Sequence, residues 1–264
     1  MRFARLLLSF GLCVLLVIPS PAQQTASSSI QASQMLQHSL AALQGNTSLT
    51  DVTLSGTARR IAGSDDESGT GIFKALAAGA ARIDLTLSSG QRSEVENLSL
   101  AAPAGSWSGP DGVSHAMAVH NLLTEPSWFF PAFAISRRLS NTGYVATYIG
   151  HETRNGQTVE HISVSQMPPF PDPPGVSFEF LSQVDFYLDS STLLPVAVTF
   201  NIHPDNNALL DIPTEIRFSD YRAVNGTQVP HHVQKFLNNS LILDFQADSV
   251  AFNSGLSAAN FQVQ

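Results

Sequence analysis

The sequence predicts a mainly β (α+β) body of about ten or eleven antiparallel strands, with one helix near the N-terminus and one helical insert near the middle. Three observations carry that prediction. The C-terminal run from Phe218 to Phe261 is cut into strand-length pieces by Asn225-Gly226 and Asn238-Asn239. Such pairs suit two-residue turns, where both central residues need φ > 0. In the last piece Leu241, Leu243 and Phe245 alternate with Ile242, Asp244 and Gln246, the pattern of a strand with one face on a core. Only 13% of residues are charged, and 17 Gly and 15 Pro supply many turns.

The chain opens on a targeting pattern. Arg2 and Arg5 form a basic start, and Leu6 to Ile18 is an apolar run too short to span a bilayer. Ser20-Pro21-Ala22 offers small residues for cleavage, so a signal peptide over residues 1–22 and a single domain over 23–264 are expected. Cys13 is the only cysteine, and Leu12 before it does not fit a lipidation site. The mature chain then has no thiol, which excludes disulfides, thiolate nucleophiles and cysteine metal sites. Formal net charge is −8, and loss of Arg2 and Arg5 makes it more acidic. Such a surface repels phosphate backbones, so nucleic acid is not an expected partner. No second apolar run is long enough to cross a membrane. A periplasmic or secreted protein is expected.

In chain order, Ser27 to Ser29 can cap a helix from Ile30 to Leu43, with Ile30, Met35, Leu36, Leu40 and Leu43 as its apolar stripe and Gly45 as its stop. Strand patterns follow at Val52–Ala58, Ile72–Leu76 and Ala81–Leu87, with the acidic stretch Gly63 to Gly69 read as a solvated hairpin tip. Ser89-Gly90 turns the chain into a weaker strand near Val95, and Gly109-Pro110-Asp111-Gly112 is a strong turn. Val119 to Leu139 differs from the rest. It holds Trp128, Phe129, Phe130 and Phe133, with Pro126 placed to open a short helix and Pro131 to kink it or sit in its first turn. A hairpin over Tyr144–Ser165 turns at Asn155-Gly156. Met167 to Gly175 carries five prolines and reads as an extended connector. Strands at Gln183–Leu188, Leu193–His203 and Thr214–Tyr221 lead into the closing meander.

Within that meander, Asp220-Tyr221-Arg222-Ala223-Val224-Asn225-Gly226, followed by Val229-Pro230, Phe252-Asn253 and Phe261, resembles the LolA/LolB-like family of periplasmic lipoprotein carriers and lipoprotein-related sensors. The closest likeness is to secreted bacterial members of unassigned function. The order of elements agrees over most of the mature chain, and the motif covers its last fifth. The resemblance implies a half-open antiparallel β-barrel lined by apolar and aromatic side chains and covered by helices, accepting acyl chains. It also implies an arginine on an early strand that holds the lid. Arg82 is the nearest match by order, without the proline and aromatics that flank it in the carriers.

Other constellations are weaker. His231 and His232 are adjacent and face opposite ways on a strand. His151 and His161 flank Asn155-Gly156 and could face each other beside Glu152 or Glu160, but nothing fixes a third ligand, and no metal is expected. Gly105-Ser106-Trp107-Ser108-Gly109 puts Trp where a nucleophilic serine would stand. Asp65 and Asp66 have no apolar pocket to raise a pKa. The expectation is a protein that is not an enzyme and needs no cofactor. It would hold a hydrophobic ligand or lipidated protein, with Trp128, Phe129, Phe130, Phe133 and Arg82 as candidate ligand-binding residues. The aromatic segment is either a lid over a cavity or a plug that completes the core. In the second case the chain is a structural or sensory module that docks another envelope protein by an edge strand or the proline-rich loop.

Overall fold

The structure, a computed structural model, describes residues 21–124, 126–167 and 177–264. The expected signal peptide, save its last two residues, and nearly all of the proline-rich connector lie outside the described residues.

Helix α1 spans Pro21–Gln44, starting well before the expected cap at Ser27 to Ser29. Its buried stripe is Ala32, Leu36, Ser39 and Leu43, spaced so that one face meets the core. Ile30, expected in that stripe, is exposed. Gly45 ends the helix at φ 56°, and its N–H bonds the Ala41 carbonyl at 2.9 Å.

Five strands follow: β1 (Asp51–Ala62), β2 (Asp65–Leu76), β3 (Ala80–Leu87), β4 (Gly90–Asn97) and β5 (Ala104–Ser108). A three-residue strand, β6 (Ser114–Ala116), leads to a 3-10 turn at Val119–Leu123 and helix α2 (Pro131–Ser140). The second half brings β7 (Tyr144–Arg154), β8 (Gln157–Gln166), the short helix α3 (Phe178–Leu181), β9 (Val184–Asp189) and β10 (Pro195–Ile202). The meander is β11 (Ile212–Val224), β12 (Thr227–Leu237) and β13 (Ser240–Phe252). A last 3-10 turn covers Ala258–Phe261.

All thirteen strands form one antiparallel sheet in the order β6-β5-β4-β3-β2-β1-β13-β12-β11-β10-β9-β8-β7. The first long strand therefore pairs with the last, and β6 and β7 are left as edges. The barrel is open, as expected. The strand count exceeds ten or eleven because β5 and β6 are too short for alternation to show. The acidic stretch after Gly63 is not a loop. It is the start of β2, where Asp66 pairs with Arg59 and Glu67 with Arg92 at 3.5 Å.

The turn signals hold at residue level. Asn155-Gly156, Asn225-Gly226 and Asn238-Asn239 all carry positive φ at both positions, which matches the twist of the flanking strands. One glycine has a steric role of another kind. Gly56 sits at a bulge between β1 and β13, where a Cβ would stand 1.9 Å from the Gln246 carbonyl oxygen.

Inward residues of the sheet share one continuous core. Leu54, Phe73 and Ile83 lie in one row across β1, β2 and β3, while Phe245, Val233 and Phe218 lie in another across β13, β12 and β11. Helices α1 and α2 pack into the concave side. On the convex side the closing turn places Phe261 against Ala80 and Val95.

Candidate functional site

The segment between β6 and α2 fills the concave face. The 3-10 turn at Val119–Leu123 is fastened across the opening. The Asn121 side chain donates to the His203 carbonyl and accepts the His203 N–H, both at 2.8 Å, so β5 and the β10–β11 loop are bridged. Pro131 takes the first turn of α2, where its missing N–H costs nothing. The residues before it wind tightly, with the Phe130 N–H bonded to the Ser127 carbonyl at 2.8 Å.

That winding puts the aromatics inside. Phe129, Phe130 and Phe133 are fully buried, and Trp128 is 3% exposed. Phe129 meets Phe73 edge-on at 5.2 Å between ring centres, and Phe73 stacks on Phe245 at 4.0 Å. Phe130 packs edge-on against Phe133 at 4.9 Å and near Phe252 at 6.1 Å. The deep interior of the half-barrel is therefore occupied by the chain's own side chains.

Beside Trp128, two open pockets share part of their lining and form the lobes of one cleft. One lobe, about 230 Å³, runs over Ile83, Leu85, Ile242 and Leu243. The other, about 340 Å³, runs toward Met117, Phe200 and Ile202 under the 3-10 turn. Glu94, Trp107, Trp128 and Lys235 line both lobes. The Lys235 ammonium lies 4.6 Å from the centre of the Trp128 ring, within cation–π range. The Trp128 indole N–H is buried with no hydrogen-bond acceptor among the described residues. Trp107 is 44% exposed and stacks on His115 at 4.2 Å.

Of the residues singled out from sequence, the structure gathers Trp128, Phe129, Phe130 and Phe133 into one packed unit, and only Trp128 reaches the cleft. Arg82 is not with them. It points to the opposite face of β3 from Ile83 and Leu85, where its Nε donates to Asp84 at 2.7 Å. The histidine pair is also apart: a register shift at Gly150 sets His151 opposite Glu160 and His161 opposite Gly150. His151 bonds Glu160 at 2.9 Å, and His161 lies 3.5 Å from Asp185. Among the described residues no group of three or more His, Cys, Asp or Glu is placed to hold a metal.

Sequence reasoning missed Lys235, Glu94 and Trp107. The signal for Lys235 was present, because it falls in the inward phase of Val229, His231 and Val233. For β4 the phase misleads. Alternation suggests Val95 inward, but Val95 is taken by Phe261 on the convex side, so Glu94 and Glu96 face the cleft.

A Ser–His–Asp chain crosses the convex face. Ser219 Oγ lies 3.1 Å from His232 Nδ1, and His232 Nε2 lies 3.0 Å from Asp244. It borders none of the cleft, and Gln234 donates to the other Asp244 oxygen at 2.7 Å. The arrangement is that of cross-strand polar pairs on an open sheet.

This architecture, an open antiparallel sheet curled around an inserted aromatic segment and an N-terminal helix, defines the LolA-like fold. By sequence alone the chain matches no protein-family model and no curated protein. Three solved structures match it along nearly their whole length. A Vibrio parahaemolyticus domain named for outer membrane lipoprotein sorting matches at 11% identity and TM-score 0.56, covering 89% of this chain and 97% of its own. A LolA superfamily protein from Nitrosomonas europaea matches at 10% identity and TM-score 0.52, covering 88% and 97%. A DUF1329 family protein from Desulfovibrio piger matches at 12% identity and TM-score 0.51, covering 90% and 97%. The chain has the LolA-like fold. Among the described residues no helix is long and apolar enough to cross a membrane.

Proposed function

We propose that this chain is a non-catalytic binding protein of the bacterial cell envelope, exported by its first 22 residues, whose single domain holds the acyl chain of a lipid or lipidated protein. The observation that supports this most is the cleft beside Trp128, with an apolar floor in each lobe and an aromatic wall. Apolar ligand surface leaving water there contributes roughly 25 cal/mol per Å². In this reading Trp128 touches the ligand, while Phe129, Phe130 and Phe133 hold it in place from behind. Arg82, on the other face, has no part in binding. The fold shared with a lipoprotein-sorting domain is consistent with an envelope carrier.

The test uses Trp128 as reporter in the unaltered chain, with Trp128→Phe as the control that shows what Trp107, the other of the two tryptophans, contributes. Delipidated protein titrated with palmitate or a palmitoyl lysophospholipid, below micelle formation, should shift Trp128 emission saturably. Ile83→Phe, which narrows the smaller lobe, should weaken binding about tenfold, or about 1.4 kcal/mol. Emission that stays flat with every lipid would remove the carrier reading. The buried state of Phe129, Phe130 and Phe133 would then favour the second reading, a docking module whose interior is closed by its own side chains.

A further inference from the structure

The charges inside the cleft narrow the ligand class, on the assumption that the cleft is a lipid site. Lys235 stands on the concave face between Leu243 and Ile216, and it makes no ion pair within 4.0 Å among the described residues. Its ammonium lies over the Trp128 ring. Glu94 stands between Ile83 and Trp107 and also lacks an ion pair within 4.0 Å among the described residues. Both are partly shielded from solvent, and both line both lobes. The other cations of the smaller lobe are committed elsewhere. Arg92 and Arg60 lie 3.5 and 3.9 Å from Glu67.

An open cation and an open anion in one cleft do not suit a simple fatty acid. A lone carboxylate would satisfy Lys235 and leave Glu94 facing a second negative charge in the same cleft, and like charges close together repel. An anionic phospholipid has the same defect. A neutral lipid would desolvate both groups for no return.

We infer that the cleft recognises a zwitterionic phosphoethanolamine head group, with its acyl chain in the apolar lobe. The phosphodiester oxygens accept from the Lys235 ammonium. The primary ammonium donates to the Glu94 carboxylate and rests against the exposed face of Trp107. The pairing gives Lys235 an anion and Glu94 a cation; Glu96 and Asp205 line the larger lobe alone, outside the wall that the two lobes share. A primary ammonium fits better than a quaternary one, because Glu94 needs a donor and one indole face does not make a cage.

Calorimetric titration with three palmitoyl probes tests this: lysophosphatidylethanolamine, lysophosphatidylglycerol and palmitate, all below micelle formation. The ethanolamine lipid should bind at least tenfold more tightly than the other two. Glu94→Gln should bring it down to the level of the glycerol lipid without weakening that lipid. Lys235→Gln should weaken both lysophospholipids. Equal binding of all three probes, or a preference that survives Glu94→Gln, would overturn the head-group assignment and leave the carrier reading standing. Failure of all three to bind the wild-type protein would overturn both.

Discussion

Gly71 is held to glycine by the rings behind it. A Cβ there would stand 3.0 Å from the Phe245 ring and 3.2 Å from the Phe73 ring, whose stacking forms the floor below Trp128. Sequence marks Gly71 only as a weak spot in a strand, because the cause sits on β13, far along the chain. Asp51 is a second residue whose role lies in distant partners. It is buried at the start of β1, which raises its pKa. The Ser254 N–H and hydroxyl and the Gly255 N–H all donate to it and hold the net value below that of a free aspartate. Asp189 is depressed in the same sense by Ser191, Gln157 and Thr192, against the opposing effect of burial. A carboxyl with a lowered folded pKa contributes stability that is full above the unfolded value, about 4, and is lost as pH falls through the folded value. Asp51→Asn should therefore cost about 1–3 kcal/mol at pH 7. Urea melts should show the gap to wild type closing below about pH 4. A gap constant from pH 7 to pH 3 would mean that the charge of Asp51 carries no stability.

At the scale of elements, legibility followed locality. The turns Asn155-Gly156, Asn225-Gly226 and Asn238-Asn239 were readable because their backbone demand is met by the two residues themselves. The aromatic insert was readable as a distinct element, and Pro131 took the first-turn place that its ring permits. The choice between lid and plug was not readable, since it depends on how deeply the sheet curls around the insert. The structure answers in part: three of the four aromatics plug the interior, and Trp128 forms a wall of what remains open. The insert is tied to the second half of the sheet by Asn121. Asn121→Ala removes two hydrogen bonds to His203 and should cost only about 1–3 kcal/mol overall. Its effect should be local: amide exchange at Val119–Leu123 and at His203 should speed markedly while the α2 amides keep their protection. Exchange that rises evenly over the whole chain would instead place Asn121 in the global core.

For the whole molecule, the decisive contact is the seam between β1 and β13, with Val52 opposite Phe252 and Arg60 opposite Leu243. Strand patterns in sequence could not show it, because alternation fixes which face is buried and says nothing about which strand lies alongside. The seam makes the sheet one body: β1 carries the β2–β6 arm, β12 carries the β11–β7 arm, and β13 is all that joins them edge to edge. A chain ending at Asn239 loses Leu243, Phe245 and Ala247 from the core and leaves β1 and β12 with unpaired edges. Losing the Phe245 side chain alone would cost about 3–5 kcal/mol, and the other side chains and two ladders of hydrogen bonds go with it. The total exceeds the roughly 5–15 kcal/mol that holds a domain together. The shortened chain should therefore show no cooperative melt and no near-ultraviolet signal from Trp128. Removing only Val263 and Gln264 leaves the seam and Phe261 in place, and that chain should melt cooperatively close to wild type. A cooperative melt from the chain ending at Asn239 would show that the two arms are held together through α1 and the aromatic insert, and that the seam is dispensable.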